Sequence, residues 1–96
     1  MKFHSNQLPL PSQIDHEPDA MEVLRLWQAG DKHHVSLNPK LEGTPDNFGA
    51  ALAQLAVHSA SLLARHNGIS NEDALRRILH GFKNEVARKV AGSAGA

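Results

Sequence analysis

Residues 21–37 read MEVLRLWQAGDKHHVSL, and this stretch decides the fold of the chain. The Gly30-Asp31 pair suits a two-residue hairpin loop, because the first loop position needs a positive φ that glycine adopts without steric cost. Such a loop fixes which residues of the two strands oppose each other. The predicted pairs are Leu24 with Leu37, Leu26 with Val35, and Trp27 with His34.

This register gives the predicted hairpin two different faces, because side chains alternate along a strand. The apolar face holds Leu24, Leu26, Val35 and Leu37. The opposite face, called the Trp27 face below, holds Val23, Arg25, Trp27, His34 and Ser36. The rest of the chain has enough apolar sequence to cover one face, so the Trp27 face is a candidate surface for association.

Composition limits the classes of function. The chain has 96 residues, which favours one domain, with a folded part near the size at which a single core is marginally stabilising. Its formal net charge is zero, whereas nonspecific nucleic-acid binding needs a basic excess. We therefore expect no nucleic-acid partner, and the weak repulsion between copies permits self-association.

The absence of cysteine excludes disulfides, thiolate catalysis and cysteine-based zinc sites. Pro9 and Pro11 interrupt the first residues, which therefore do not form the apolar region of a secretory signal. No stretch approaches the roughly 20 apolar residues of a membrane span. We predict a soluble, cytoplasmic protein without a membrane partner.

The chain is predicted to begin with an extended arm over residues 1–20, because its three prolines favour extended geometry. The arm is either anchored through its apolar residues or loose. Residues 21–90 are predicted to form a single α+β domain, and residues 91–96, which are small and glycine-rich, a flexible tail.

Two helices are predicted after the hairpin. Thr44 is a suitable N-cap for a helix over residues 45–67, and Gly68 supplies the left-handed residue that ends it. Ser70 then caps a second helix that runs to residue 90. The short connection predicts an αα-hairpin.

The two helices differ in their apolar patterns. The first is apolar almost all round, which is typical of a helix buried on more than one side. The second has one apolar stripe, and its opposite side is predicted to carry ion pairs at a spacing of four. These pairs are Glu72 with Arg76, Asp73 with Arg77, and Glu85 with Lys89.

Seven histidines raise the question of a metal site, but their spacing argues against one. His33 and His34 are neighbours in a strand, so their rings point to opposite faces. His58 and His66 are eight residues apart, or about 12 Å along a helix. A composite site, such as His33 with His58, stays open. No nucleophile elbow or phosphate loop is present, and no cofactor or metal is predicted.

Two single residues have two readings each. His58 lies on an otherwise apolar helix, where it is either a hydrogen-bonded residue at a boundary or a pH-sensitive or ligand-contacting group. Trp27 either packs under the N-terminal arm or anchors an interface, since buried tryptophans often dominate binding energy.

The order of these motifs resembles an uncharacterised bacterial family, the domain-of-unknown-function family 5076. Its members have a proline-containing arm, a strand like EVLRLW, then QHVSL, a DPxxWG helix start and a LARH-type helix. The matching stretches are Glu22 to Trp27, His34 to Leu37, Thr44-Pro45 through Phe48-Gly49, and Leu55 to His58, followed by SNEDALRRI. The resemblance implies a small α+β module and no particular activity.

The chain departs from the family pattern at three positions. Phe48 stands in place of tryptophan, Thr44 in place of aspartate, and Val57 in place of arginine. If that arginine is needed for a role that the family members share, this chain lacks the residue for that role.

The sequence thus predicts an α+β fold in which an antiparallel β-hairpin packs on a two-helix αα-hairpin (ββαα). The predicted function is a homodimeric interaction module, with two hairpins joined edge to edge into a larger sheet. The alternatives are a small-ligand or peptide binder that uses the Trp27 face and, less favoured, an enzyme with a composite histidine site. The candidate binding or interface residues are Trp27, Arg25, His34, Ser36 and His58.

Overall fold

The structure is a computed structural model that describes residues 4–94. It confirms the α+β class, because an antiparallel hairpin is followed by two α-helices. The chain divides into two compact units, Met1–Glu42 and Gly43–Ala96, which are described in turn. The prediction of a single domain over residues 21–90 stays a prediction.

The N-terminal unit contains the predicted hairpin, formed by β1 (Leu24–Ala29) and β2 (Lys32–Leu37). Gly30 has a φ of 62°, the positive value that the two-residue loop requires. All predicted pairs are present: Leu24 opposes Leu37, Leu26 opposes Val35, and Trp27 opposes His34. A local turn signal therefore sets the register of both strands.

The apolar face of the hairpin is open within its own unit. Leu24 is half-buried, whereas Leu26 and Val35 are each 59% exposed and Leu37 is 53% exposed. The predicted packing of this face on the helices stays a prediction.

The N-terminal arm is less extended than predicted, because Ser12–His16 forms a 3-10 helix. Pro11 precedes it with extended geometry (φ −58°, ψ 142°), and the N–H of Ile14 donates to the carbonyl of Pro11 at 3.0 Å. The residues between Pro11 and Pro18 are free of proline, so a tight turn is allowed there.

The C-terminal unit is the predicted αα-hairpin, made of α1 (Pro45–Asn67) and α2 (Asn71–Ala94). The Thr44 hydroxyl accepts a hydrogen bond from the N–H of Asn47 at 3.1 Å, as expected of an N-cap. Gly68 ends α1 with a φ of 66°, and its N–H donates to the carbonyl of Ala64. The Ser70 hydroxyl accepts from the N–H of Asp73 at 3.1 Å at the start of α2.

The second helix continues to Ala94, four residues beyond the predicted end at residue 90. Alanine and serine propagate a helix at modest cost, and the one glycine, Gly92, costs about 1 kcal/mol, so the helix extends through part of the predicted tail over residues 91–96. Residues 95 and 96 lie outside the described part of the chain. The flexibility of this segment stays a prediction.

Three small residues form the buried core of the helical unit. Ala60 and Ala64 of α1 and Ala74 of α2 are each at most 4% exposed. Their small size allows close approach of the two helices near the connecting loop. Three larger side chains are partly buried against them: Ile69, Leu75 and Ile78.

None of the three ion pairs predicted for α2 is present among residues 4–94, and two other pairs form instead. Asp73 pairs with Arg76 at 2.9 Å, and Glu85 pairs with Arg88, so both pairs are three residues apart instead of four. Positions three and four apart are both neighbours on a helix surface, so the sequence alone does not select between them. All four side chains are more than half exposed, so each pair contributes little to stability.

Candidate functional site

The hairpin brings four of the five candidate residues onto one face. Arg25 opposes Ser36 and Trp27 opposes His34 in the observed register. Because opposed residues of an antiparallel pair project to the same side, the four side chains form two adjacent rows. The Trp27 face is therefore a real feature of the N-terminal unit.

Trp27 is half-buried, and the N-terminal arm contributes to its cover. The centroid of the His4 imidazole lies 5.0 Å from that of the indole ring, with an interplanar angle of 62°. This edge-on geometry is favourable for aromatic pairs. The arm thus contacts Trp27, as expected if the residue packs under the arm. Part of the indole stays exposed, and this part is accessible to a partner surface.

Arg25 is already paired within the unit. Its guanidinium donates to the carboxylate of Glu22 at 2.8 Å, and both side chains are about half exposed. An incoming anion would have to compete with this carboxylate. The exposed pair is easily broken, since such contacts contribute at most about 1 kcal/mol.

His34 and Ser36 are exposed on β2. Within residues 4–94 neither side chain makes a hydrogen bond to another residue. Both groups are therefore accessible to a second molecule.

The fifth candidate, His58, lies on α1 in the other unit, and its side chain is exposed. Among residues 43–94 the His58 side chain makes no hydrogen bond to another residue. Throughout residues 4–94 there is no cluster of three or more histidine, aspartate or glutamate residues that could hold a metal ion.

A shallow groove runs along the outer side of β1. The arm residues 6–11 form one wall, and Glu22 and the strand residues 24–27 form the other. The groove has a volume of about 270 Å³ and includes Trp27 and Arg25. Its position shows that the arm flanks the β1 edge of the sheet.

The sequence did not reveal three features of these surfaces. The contact of His4 with Trp27 has no sequence signal, because it joins residues far apart in the chain. The pairing of Glu22 with Arg25 has only a weak sequence signal, which is the presence of opposite charges three residues apart near the start of a strand. The exposure of the apolar side of α2 follows from packing, which periodicity does not specify.

An antiparallel hairpin followed by an αα-hairpin defines a small α+β module of the ββαα type. Residues 7–90 match the family described as "Domain of unknown function (DUF5076)", and the chain belongs to that family. The family assignment confirms the resemblance drawn from the motifs.

One similar solved structure is described as "a putative pyruvate dehydrogenase from the photosynthetic bacterium Rhodopseudomonas palustrus CGA009". It is 29% identical in sequence, with a TM-score of 0.75, and the match covers 88% of this chain and 86% of the other. No curated protein matches the chain. No helix among residues 4–94 is long and apolar enough to cross a membrane.

Proposed function

We propose that the chain is a homodimeric interaction module, which we place in the cytoplasm without a nucleic-acid or membrane partner. The observation that carries the proposal is the core of the helical unit, whose only buried apolar residues within the described chain are three alanines. No large side chain among residues 4–94 is fully buried.

This core is small for two helices of 23 and 24 residues. Ordering a chain costs conformational entropy, and the burial of apolar surface is the main term that offsets this cost. Covering more of the apolar surface of the two helices would therefore stabilise the fold.

The surface available for this purpose lies on both helices. The α2 stripe, defined as Leu79, Phe82, Val86 and Val90, is between 47% and 61% exposed. Leu75 and Ile78 of the same helix are partly buried against α1, so α1 covers one edge of the apolar side of α2. The exposed apolar residues of α1 are Leu55, Val57, Leu62 and Leu63.

A second copy of the chain is the partner that these observations favour. The net charge is zero, so two copies do not repel each other. In a twofold dimer the same apolar surface of each copy packs against its counterpart in the other copy. Twofold dimers are the commonest oligomers of soluble proteins.

Co-expression of a tagged and an untagged copy tests the proposal. The untagged chain is expected to co-purify with the tagged chain at a comparable yield, with no other protein present in stoichiometric amount. A tagged chain that purifies alone would contradict the proposal. If a different protein replaced the untagged chain in stoichiometric amount, the surface would serve a heteromeric partner instead.

The groove beside β1 favours a second candidate function, the binding of a small anion or a peptide. Trp27 offers a stacking surface and Arg25 a cation at its wall. Benzoate, which combines an aromatic ring with a carboxylate, is a suitable probe. Saturable quenching of the Trp27 emission that is lost in Arg25→Gln would support this function, and quenching that is linear and equal in both proteins would contradict it.

A further inference from the structure

From the edges of the hairpin we infer that two copies join through β2, antiparallel, with Val35 of one copy opposite Val35 of the other. This inference rests on the proposed homodimer and specifies one part of its interface. The joined hairpins form a four-stranded sheet in the order β1, β2, β2, β1.

The outward-facing backbone groups of β2 follow from the observed hydrogen bonds. The N–H of Asn38 donates to the carbonyl of Val23 at 3.0 Å, so Asn38 is bonded to the β1 side. Inward and outward residues alternate in an antiparallel ladder. The backbone N–H and C=O groups of His33, Val35 and Leu37 therefore point away from β1 and form the free edge.

The two edges of the hairpin are not equivalent. The arm residues 6–11 lie beside the edge of β1 and form the wall of its groove. All six residues of β2 are exposed. Sheet edges are usually protected by a bulge, a proline or several charges. The six pairs of β2 run without interruption, Lys32 is its only lysine, arginine, aspartate or glutamate, and its nearest proline is Pro39 after the strand.

The alternation restricts the register of a symmetric pair. A residue whose backbone groups point away from β1 has to lie opposite another such residue in the second copy. Among the registers that meet this condition, those with the most paired residues have their twofold axis at Val35 or at His34. An axis at Val35 aligns Leu26 and Val35 with the same residues of the second copy in one apolar row. An axis at His34 instead places Val35 opposite His33 and leaves no apolar pair across the seam, whereas the axis at Val35 keeps the Val35 pair and places Leu37 opposite His33. Apolar pairing favours the axis at Val35.

Charge selects the antiparallel direction and a second copy as occupant. In a parallel pair the two Lys32 side chains would be neighbours, which is unfavourable. In the antiparallel pair they lie at opposite ends of the seam, about 20 Å apart for a six-residue strand. In the proposed register Asp31 lies opposite Pro39 of the other copy, next to Lys40 in the sequence, so each end of the seam holds charges of both signs.

Single cysteines test the register directly, because the chain contains none of its own. In the proposed register the Cα atoms of Val35 and its copy are about 5.5 Å apart, within the range of a disulfide. The Cα atoms of His34 and its copy are diagonal neighbours about 7 to 8 Å apart, beyond that range. Under mild oxidation Val35→Cys is expected to shift to twice the chain mass on a non-reducing gel, whereas His34→Cys stays at the single-chain mass.

Three further results would overturn the inference, and together they separate it from the proposed homodimer. A cross-link in His34→Cys but not in Val35→Cys would place the axis at His34. If neither variant cross-links while the unmodified chain sediments as a dimer, the homodimer stands and the β2 seam is wrong. If the unmodified chain sediments as a monomer, both are wrong. Circular dichroism of each variant establishes that it is folded before the oxidation is interpreted.

Discussion

The glycine that ends the first helix shows how one residue controls this fold. Gly68 has a φ of 66°, a region that side-chain-bearing residues adopt at a cost of roughly 1 to 2 kcal/mol. It reverses the chain so that α2 can return along α1. We therefore expect Gly68→Ala to lower the free energy of unfolding by about 1 kcal/mol, measured by urea denaturation.

Gly81 provides a matched control for that substitution. It lies inside α2 at an ordinary helical φ, and an added Cβ would meet no atom within 4 Å. Gly81→Ala is expected to raise the free energy of unfolding by about 0.5 to 1 kcal/mol, because alanine favours the helix. Equal effects of the two substitutions would show that the left-handed conformation of Gly68 is not required.

A second prediction at the residue scale concerns Trp27, the only tryptophan of the chain. The indole is half-buried and touches His4 edge-on. Removal of the imidazole in His4→Ala should expose more of the indole and shift its emission to longer wavelength. His16→Ala, in the same arm, should leave the emission unchanged. Identical spectra for both variants would mean that the arm does not cover Trp27 in solution.

At the scale of elements, the local signals of the sequence predicted the hairpin and both helix starts. Gly30, Thr44 and Gly68 act through the backbone within a few residues, so their effects are readable from the sequence. The 3-10 helix and the ion pairs at a spacing of three were not predicted, because local alternatives of similar energy exist.

The candidate site was predictable to a different degree on each element. The strand register determined that Arg25, Trp27, His34 and Ser36 share one face. By contrast, the cover that the arm gives to Trp27 and the exposure of the α2 stripe depend on packing between distant segments. Periodicity identifies an apolar side of a helix, but not how much of it a neighbour covers.

The α2 stripe gives a prediction for a whole element. If a second copy covers it, Phe82→Lys places a charge in an apolar interface, and we expect the dimer to dissociate at concentrations where the unmodified chain is dimeric. Analytical ultracentrifugation at a fixed micromolar concentration measures this change.

Ala87→Lys is the control for the stripe. Ala87 is exposed on α2, outside the stripe, and the substitution adds the same charge to the same helix. The sedimentation of this variant should match that of the unmodified chain. If Phe82→Lys and Ala87→Lys behave alike, the stripe is not part of the interface.

At the scale of the whole molecule, the proposed homodimer would make the stability of the fold depend on association. Unfolding of a dimer releases two chains, so its midpoint temperature rises with protein concentration. We expect the thermal midpoint of this chain to rise by several degrees over a hundredfold increase in concentration, measured by circular dichroism. A midpoint that does not change with concentration would indicate that each chain is stable alone.

Sedimentation equilibrium of the unmodified chain tests the central claim most directly. The claim is that a second copy covers the apolar surface that one chain leaves exposed on its hairpin and helices. At micromolar concentration the account predicts a mass of twice that of one chain, decreasing toward the single-chain mass on dilution. A single-chain mass at every concentration up to the millimolar range, from a folded protein, would contradict it.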